Sequence, residues 1–155
     1  MSFARQLGKI YLELNARTSP AAGFIDPDRD SMGISSPPQL LELLPASNTT
    51  VFVPPTERSK PQSLVELLIS MVERRKELDP GMDFHWDDVQ DAFEDMEGDG
   101  MLENIHFSLI HYDLEQYNIL INILSPTEIK VEVIIDWDGA FFGPAFMNAK
   151  PPCWL

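Results

Sequence analysis

His111-Tyr-Asp-Leu-Glu-Gln-Tyr-Asn118 stands between two β-prone runs, Ile105 to Ile110 and Asn118 to Leu124. A third run, Lys130 to Ile135, follows the turn residues Ser125-Pro126-Thr127-Glu128, and Ile134-Ile-Asp-Trp-Asp138 closes the stretch. Apolar runs of this length split by a Ser-Pro turn predict a β-hairpin. Such a hairpin returns Asn118 and Asp136 to one edge, with Asp113 in the loop just before it.

Upstream, the pattern is helical. Phe3, Leu7, Ile10, Tyr11 and Leu14 recur at helical spacing and predict a helix over Ser2 to Arg17. Thr18 to Gly23 reads as its stop, with Pro20 and Gly23 as breakers. Residues 24–62 read as a Pro-rich loop region, with short ordered pieces only at Gln39 to Leu44 and Thr50 to Val53. Ser63 and Glu66 form a Ser-x-x-Glu capping box, which opens a helix with Leu64, Leu67, Leu68, Met71 and Val72 inward. A third helix is expected from Trp86 to about Glu97, with Val89, Ala92, Phe93 and Met96 inward. The fold class expected is α+β, mostly helical, with a small β-hairpin following the loop at 111–118.

The chain has 155 residues, 44% of them hydrophobic, which suits one domain spanning residues 1–155. Its net charge is −14. So negative a surface disfavours phosphate backbones, and no nucleic-acid partner is expected. No apolar run is long enough to span a membrane, and the N-terminus lacks a signal-peptide pattern. Cys153 is the single cysteine, so no internal disulfide forms and a reducing, cytoplasmic setting is expected. There is no Lys or Arg between Lys76 and Lys130. An anionic substrate handled there must be neutralised by metal ions or by groups outside that stretch.

The pattern His-x-Asp-x-x-x-x-Asn, then a strand-terminal Asp, matches the needs of phosphoryl transfer. One carboxylate must orient the attacking hydroxyl and take its proton, and hard oxygen ligands must hold Mg²⁺ against the phosphates. Asp113 suits the first task. Asn118 and Asp136 suit the second, since an amide oxygen and a carboxylate are both hard donors. The same grammar marks protein kinases. The competing reading is an ordinary surface loop before a hairpin, which leaves Asn118 without a role.

His111 to Leu120 and Ile134-Ile-Asp-Trp-Asp-Gly-Ala140 resemble the aminoglycoside phosphotransferase family, and within it a fungal branch of small-molecule kinase-like proteins. The tail Phe142 to Leu155, with its Pro-Pro-Cys-Trp-Leu, is similar to that branch too. Leu7 to Leu14 and Gly23-Phe-Ile25 look like the segments ahead of the catalytic loop. Tyr112 stands where the family commonly has Gly. The resemblance implies Asp113 as catalytic base, Asn118 and Asp136 as Mg²⁺ ligands, and His111 as a structural residue of the loop. It implies ATP as co-substrate and a small-molecule hydroxyl as acceptor.

A kinase-like site also needs a nucleotide lobe with a Gly-rich loop, a strand Lys and a Glu to hold it. Lys9 and Lys76 fall on predicted helices and Lys60 in the Pro-rich loop. The expectation is therefore a C-terminal lobe with the nucleotide-binding lobe absent, binding ATP weakly. The rival expectation is a non-catalytic remnant that binds metal or a partner. Weaker signals have plainer readings. Asp26 to Asp30 lacks the Gly and Glu of a calcium loop. The nine acids between Asp79 and Asp99 read as a solvated helix face rather than a cation site. His85 and His106 have no metal-ligand spacing.

Overall fold

The computed structural model describes residues 2–25, 40–41, 58–78 and 81–149. Three helices and two antiparallel sheets make an α+β architecture. Helix α1 spans Phe3–Asn15 and buries Leu7 and Leu14, as its apolar stripe predicts. Helix α2 spans Leu64–Leu78 and buries Leu64, Val65, Leu67 and Val72. Its capping box is made. Ser63 N donates to Glu66 Oε2 at 2.6 Å, and Glu66 N to Ser63 Oγ at 3.1 Å. Arg75 and Lys76 in the last turn suit the negative end of the helix dipole.

Helix α3, Asp83–Gly98, packs against α2 and buries none of its residues fully. It starts three residues before the expected Trp86, and Ala92 is exposed rather than inward. With one helix as its main neighbour, α3 covers only a narrow stripe, so Val89, Phe93 and Met96 are half-buried. Lys76 bridges the pair through Asp87 and Gln90.

The larger sheet contains β1 (Thr18–Ser19), β2 (Gly23–Ile25), β3 (Leu40–Leu41), β4 (Phe107–Ile110) and β7 (Phe141–Pro144), in the order β1-β4-β7-β2-β3. The β-prone run Ile105 to Ile110 contains β4, and the five-stranded sheet built around it enlarges the small β element expected beside the helices. Thr18 to Gly23, read as a stop, contributes to two strands, and the Phe142-Gly-Pro tail begins inside a third. Strands of two to four residues carry no readable alternation, and their partners are remote: Thr18 pairs with Ser108, and Gly23 with Phe142. Ala21, Ala22, Leu40, Leu64, Leu67, Phe107 and Phe142 form the core between this sheet and α2. Gly143 is required by close approach, because a Cβ there would lie 2.6 Å from the Phe141 ring. The short piece expected at Gln39 to Leu44 includes β3. Thr50 to Val53, Asp26 to Asp30 and Cys153 lie outside the described residues.

The smaller sheet is the expected hairpin, β5 (Ile119–Ser125) and β6 (Glu128–Ile134), with Ile119 opposite Ile134. A lone two-stranded ribbon is marginal in water, so its anchor matters. The anchor is Gln6 of α1. Its Nε2 donates to Ile129 O at 2.9 Å, and its Oε1 accepts from Val131 N at 2.9 Å. One side chain thus pairs with β6 as a neighbouring strand would. Among the described residues no helix is long and apolar enough to cross a membrane.

Candidate active site

Four strand ends meet at one place. Ile110, the last residue of β4, pairs with Phe141, the first of β7. Ile119 opens β5 opposite Ile134, which ends β6. The loops 111–118 and 135–140 link these ends, so both halves of the sequence motif leave the sheets at one junction. The topology alone brings the predicted site residues together.

His111 is the pin of the junction. It is 6% exposed, and its Nε2 lies 3.0 Å from Ile135 O. A carbonyl only accepts, so Nε2 carries the proton and donates. The Trp137 ring meets the imidazole edge-on at 4.7 Å between centroids, and Trp137 Nε1 donates to Ile134 O. The His111 Nδ1 is buried without a hydrogen-bond partner among the described residues.

Asn118 is the second link, 4% exposed at the end of the 3-10 turn Gln116–Asn118. Its backbone oxygen accepts from Ile135 N at 3.0 Å. Its Nδ2 donates to Asp113 O at 2.8 Å and to Asp113 Oδ2 at 3.2 Å. The loop is tightened by Glu115 N donating to Asp113 O and by Asn118 N donating to Glu115 O. Asn118 therefore joins Asp113 on one side to the segment carrying Asp136 on the other. With its nitrogen committed to Asp113, the amide offers its oxygen to a ligand.

Asp136 is exposed and has φ +61°. A non-glycine residue in this left-handed region carries strain, which concentrates at functional sites. Gly139, at φ +85°, and the bond from Ala140 N to Trp137 O complete the turn back to β7.

The carboxylate of Asp113 is half-buried and faces a residue that the sequence reading passed over. Tyr117 donates its hydroxyl to Asp113 Oδ2 at 2.8 Å and Oδ1 at 3.1 Å. That hydrogen bond raises the pKa of the phenol above its usual 10.0, with desolvation and the charges of Asp113, Glu115 and Asp136 adding to it. Burial and the Glu115 charge raise that of Tyr11 as well. Asp113 and Tyr117 lie outside any α-helix, so their spacing of four carried no sequence signal of the contact. Gln6 did have one: it is a polar residue one turn from Phe3, beside the apolar stripe of its helix.

The donor set is one amide oxygen and one strand-terminal carboxylate. Among the described residues no cluster of three or more His, Cys, Asp or Glu is placed to hold a metal ion. An amide and a carboxylate suit Mg²⁺, which keeps several waters and takes the rest of its ligands from substrate phosphates. They suit zinc poorly, since it favours nitrogen and sulfur donors in a closed shell. No family model, curated protein or solved structure matches the chain.

Proposed function

We propose that this chain carries the base-and-metal portion of a kinase-like phosphotransferase, the C-terminal lobe of the aminoglycoside phosphotransferase type that residues 111–155 resemble. The observation that carries the reading is the double attachment of Asn118. It holds Asp113 through its side chain and the strand leading to Asp136 through its backbone.

In this reading Asp113 accepts a hydrogen bond from the hydroxyl of a small molecule and takes its proton as the oxygen attacks the γ-phosphorus of ATP. Asn118 Oδ1 and the Asp136 carboxylate hold Mg²⁺, which would neutralise the phosphate oxygens. His111 fixes the Ile135 carbonyl, and so the backbone from which Asp136 projects. The hairpin beside the site exposes Leu120, Ile121, Ile123, Leu124 and Val133. Apolar surface of that kind supports one lobe of a two-lobed enzyme. The setting proposed is cytoplasmic, as the single cysteine suggests.

A second reading, a non-catalytic remnant that binds metal or a partner, is favoured by the lack of any Lys or Arg between Lys76 and Lys130. Nothing in that stretch offsets a triphosphate. Turnover separates the two. The chain is incubated with Mg-ATP and a panel of small alcohols and amino alcohols, and ADP is measured. Acceptor-dependent ADP formation, lost in Asp113→Asn, supports the enzyme. Magnesium binding without turnover supports the remnant.

A further inference from the structure

Asp113 already has a hydroxyl in place. The phenol oxygen of Tyr117 lies 2.8 Å and 3.1 Å from the two carboxylate oxygens, within the reach expected of a general base and the proton it removes. Asp113 Oδ2, which accepts from the phenol, also accepts from Asn118 Nδ2 at 3.2 Å, so the phenol oxygen and one proposed metal ligand share that carboxylate oxygen. Tyr117 is also 64% exposed, so a phosphoryl group can be added to it without opening the core.

We infer that Tyr117 is itself a phosphoryl acceptor, and that with Mg-ATP the chain phosphorylates its own Tyr117. The inference rests on the phosphotransferase reading of Asp113, Asn118 and Asp136. In the step, the Asp113 carboxylate takes the phenolic proton while the phenol oxygen forms a bond to the γ-phosphorus. The bond from that phosphorus to the β,γ-bridging oxygen breaks, and its electron pair leaves with ADP. The proton passes to solvent. Without the base the reaction is slow, because no positioned group takes the phenolic proton as the oxygen attacks. The product carries a charge of about −1.5 to −2 and no hydroxyl proton, so Asp113, Glu115 and Asp136 repel it from the site. Self-phosphorylation thereby clears Asp113 for an external hydroxyl.

The test is mass spectrometry of the purified chain after incubation with Mg-ATP, with ADP measured in parallel. The expected result is a single phosphoryl group on Tyr117, formed at a rate independent of chain concentration. It is absent from Tyr117→Phe and slowed about a hundredfold or more in Asp113→Asn. Circular dichroism confirms that both variants fold. ADP release with Tyr117 unmodified overturns the inference and leaves the phosphotransferase reading standing. Phosphate on another residue alone, or a rate rising with chain concentration, also overturns it. Neither ADP nor label overturns the inference and counts against the reading beneath it.

Discussion

Replacing Gln6 with Leu separates the anchoring of the hairpin from the chemistry of the site. Leu has similar helix propensity and comparable bulk, so α1 itself is little affected. Two hydrogen bonds are lost, those to Ile129 O and from Val131 N, both partly buried. Each is worth about 1 kcal/mol net, so the variant is expected to lose about 2 kcal/mol. For a domain of this size, that lowers Tm by about 4–8 °C. The assay is thermal unfolding combined with amide hydrogen exchange. The Val131 amide should lose protection in Gln6→Leu, while amides of α2 change only with global stability. Gln6→Glu is the control, since its carboxylate still accepts from Val131 N but faces Ile129 O without a donor, and it should fall between. Unchanged Val131 exchange, or a Tm shift under about 1 °C, refutes the view that one side chain docks the hairpin.

Three further outcomes are expected. Gly143→Ala should cost about 1–3 kcal/mol in urea unfolding, because its Cβ would lie 2.6 Å from Phe141 Cε2 and 3.0 Å from Ile110 Cδ1; a cost within about 0.5 kcal/mol contradicts this packing. Tyrosinate absorbance should show two groups titrating above 10.0, Tyr11 and Tyr117, of which one moves down in Asp113→Asn and vanishes in Tyr117→Phe. A raised phenol pKa stabilises the fold below the unfolded pKa, and that contribution is lost as pH rises through the folded value, so Tyr117→Phe should narrow the difference between neutral and alkaline stability. Asp136→Gly should gain about 1 kcal/mol in unfolding by relieving the left-handed strain while losing metal affinity; a loss of stability would show that the Asp136 side chain holds the turn instead.

The elements legible in the sequence were those with a local signal. The stripe from Phe3 to Leu14 specified α1, the Ser63–Glu66 box specified the start of α2, and the apolar runs around Ser125-Pro126 specified the hairpin. The larger sheet was legible only at β4, inside the β-prone run Ile105 to Ile110, and at β3, inside the short piece Gln39 to Leu44; its other strands are two to four residues long and pair across most of the chain. Local breakers such as Pro20 and Gly23 then read as turns, while tertiary pairing made Gly23 part of a strand. At the site, the contact between Asp113 and Asn118 and the return of the chain to Asp136 follow from loop length and hairpin register. Tyr117 was hidden for a different reason: within a catalytic-loop pattern the intervening positions are unspecified, and only geometry shows which of them reaches the carboxylate.

The most direct measurement of the central claim is calorimetric titration of Mg-ATP into the chain and into Asp136→Asn. Asn tolerates the left-handed backbone at this position, so the substitution removes the charge without forcing the turn. The account predicts saturable, magnesium-dependent binding to the parent chain, weakened about tenfold or more in the variant. Equal binding to both, or binding that ignores magnesium, contradicts a metal site at Asn118 and Asp136.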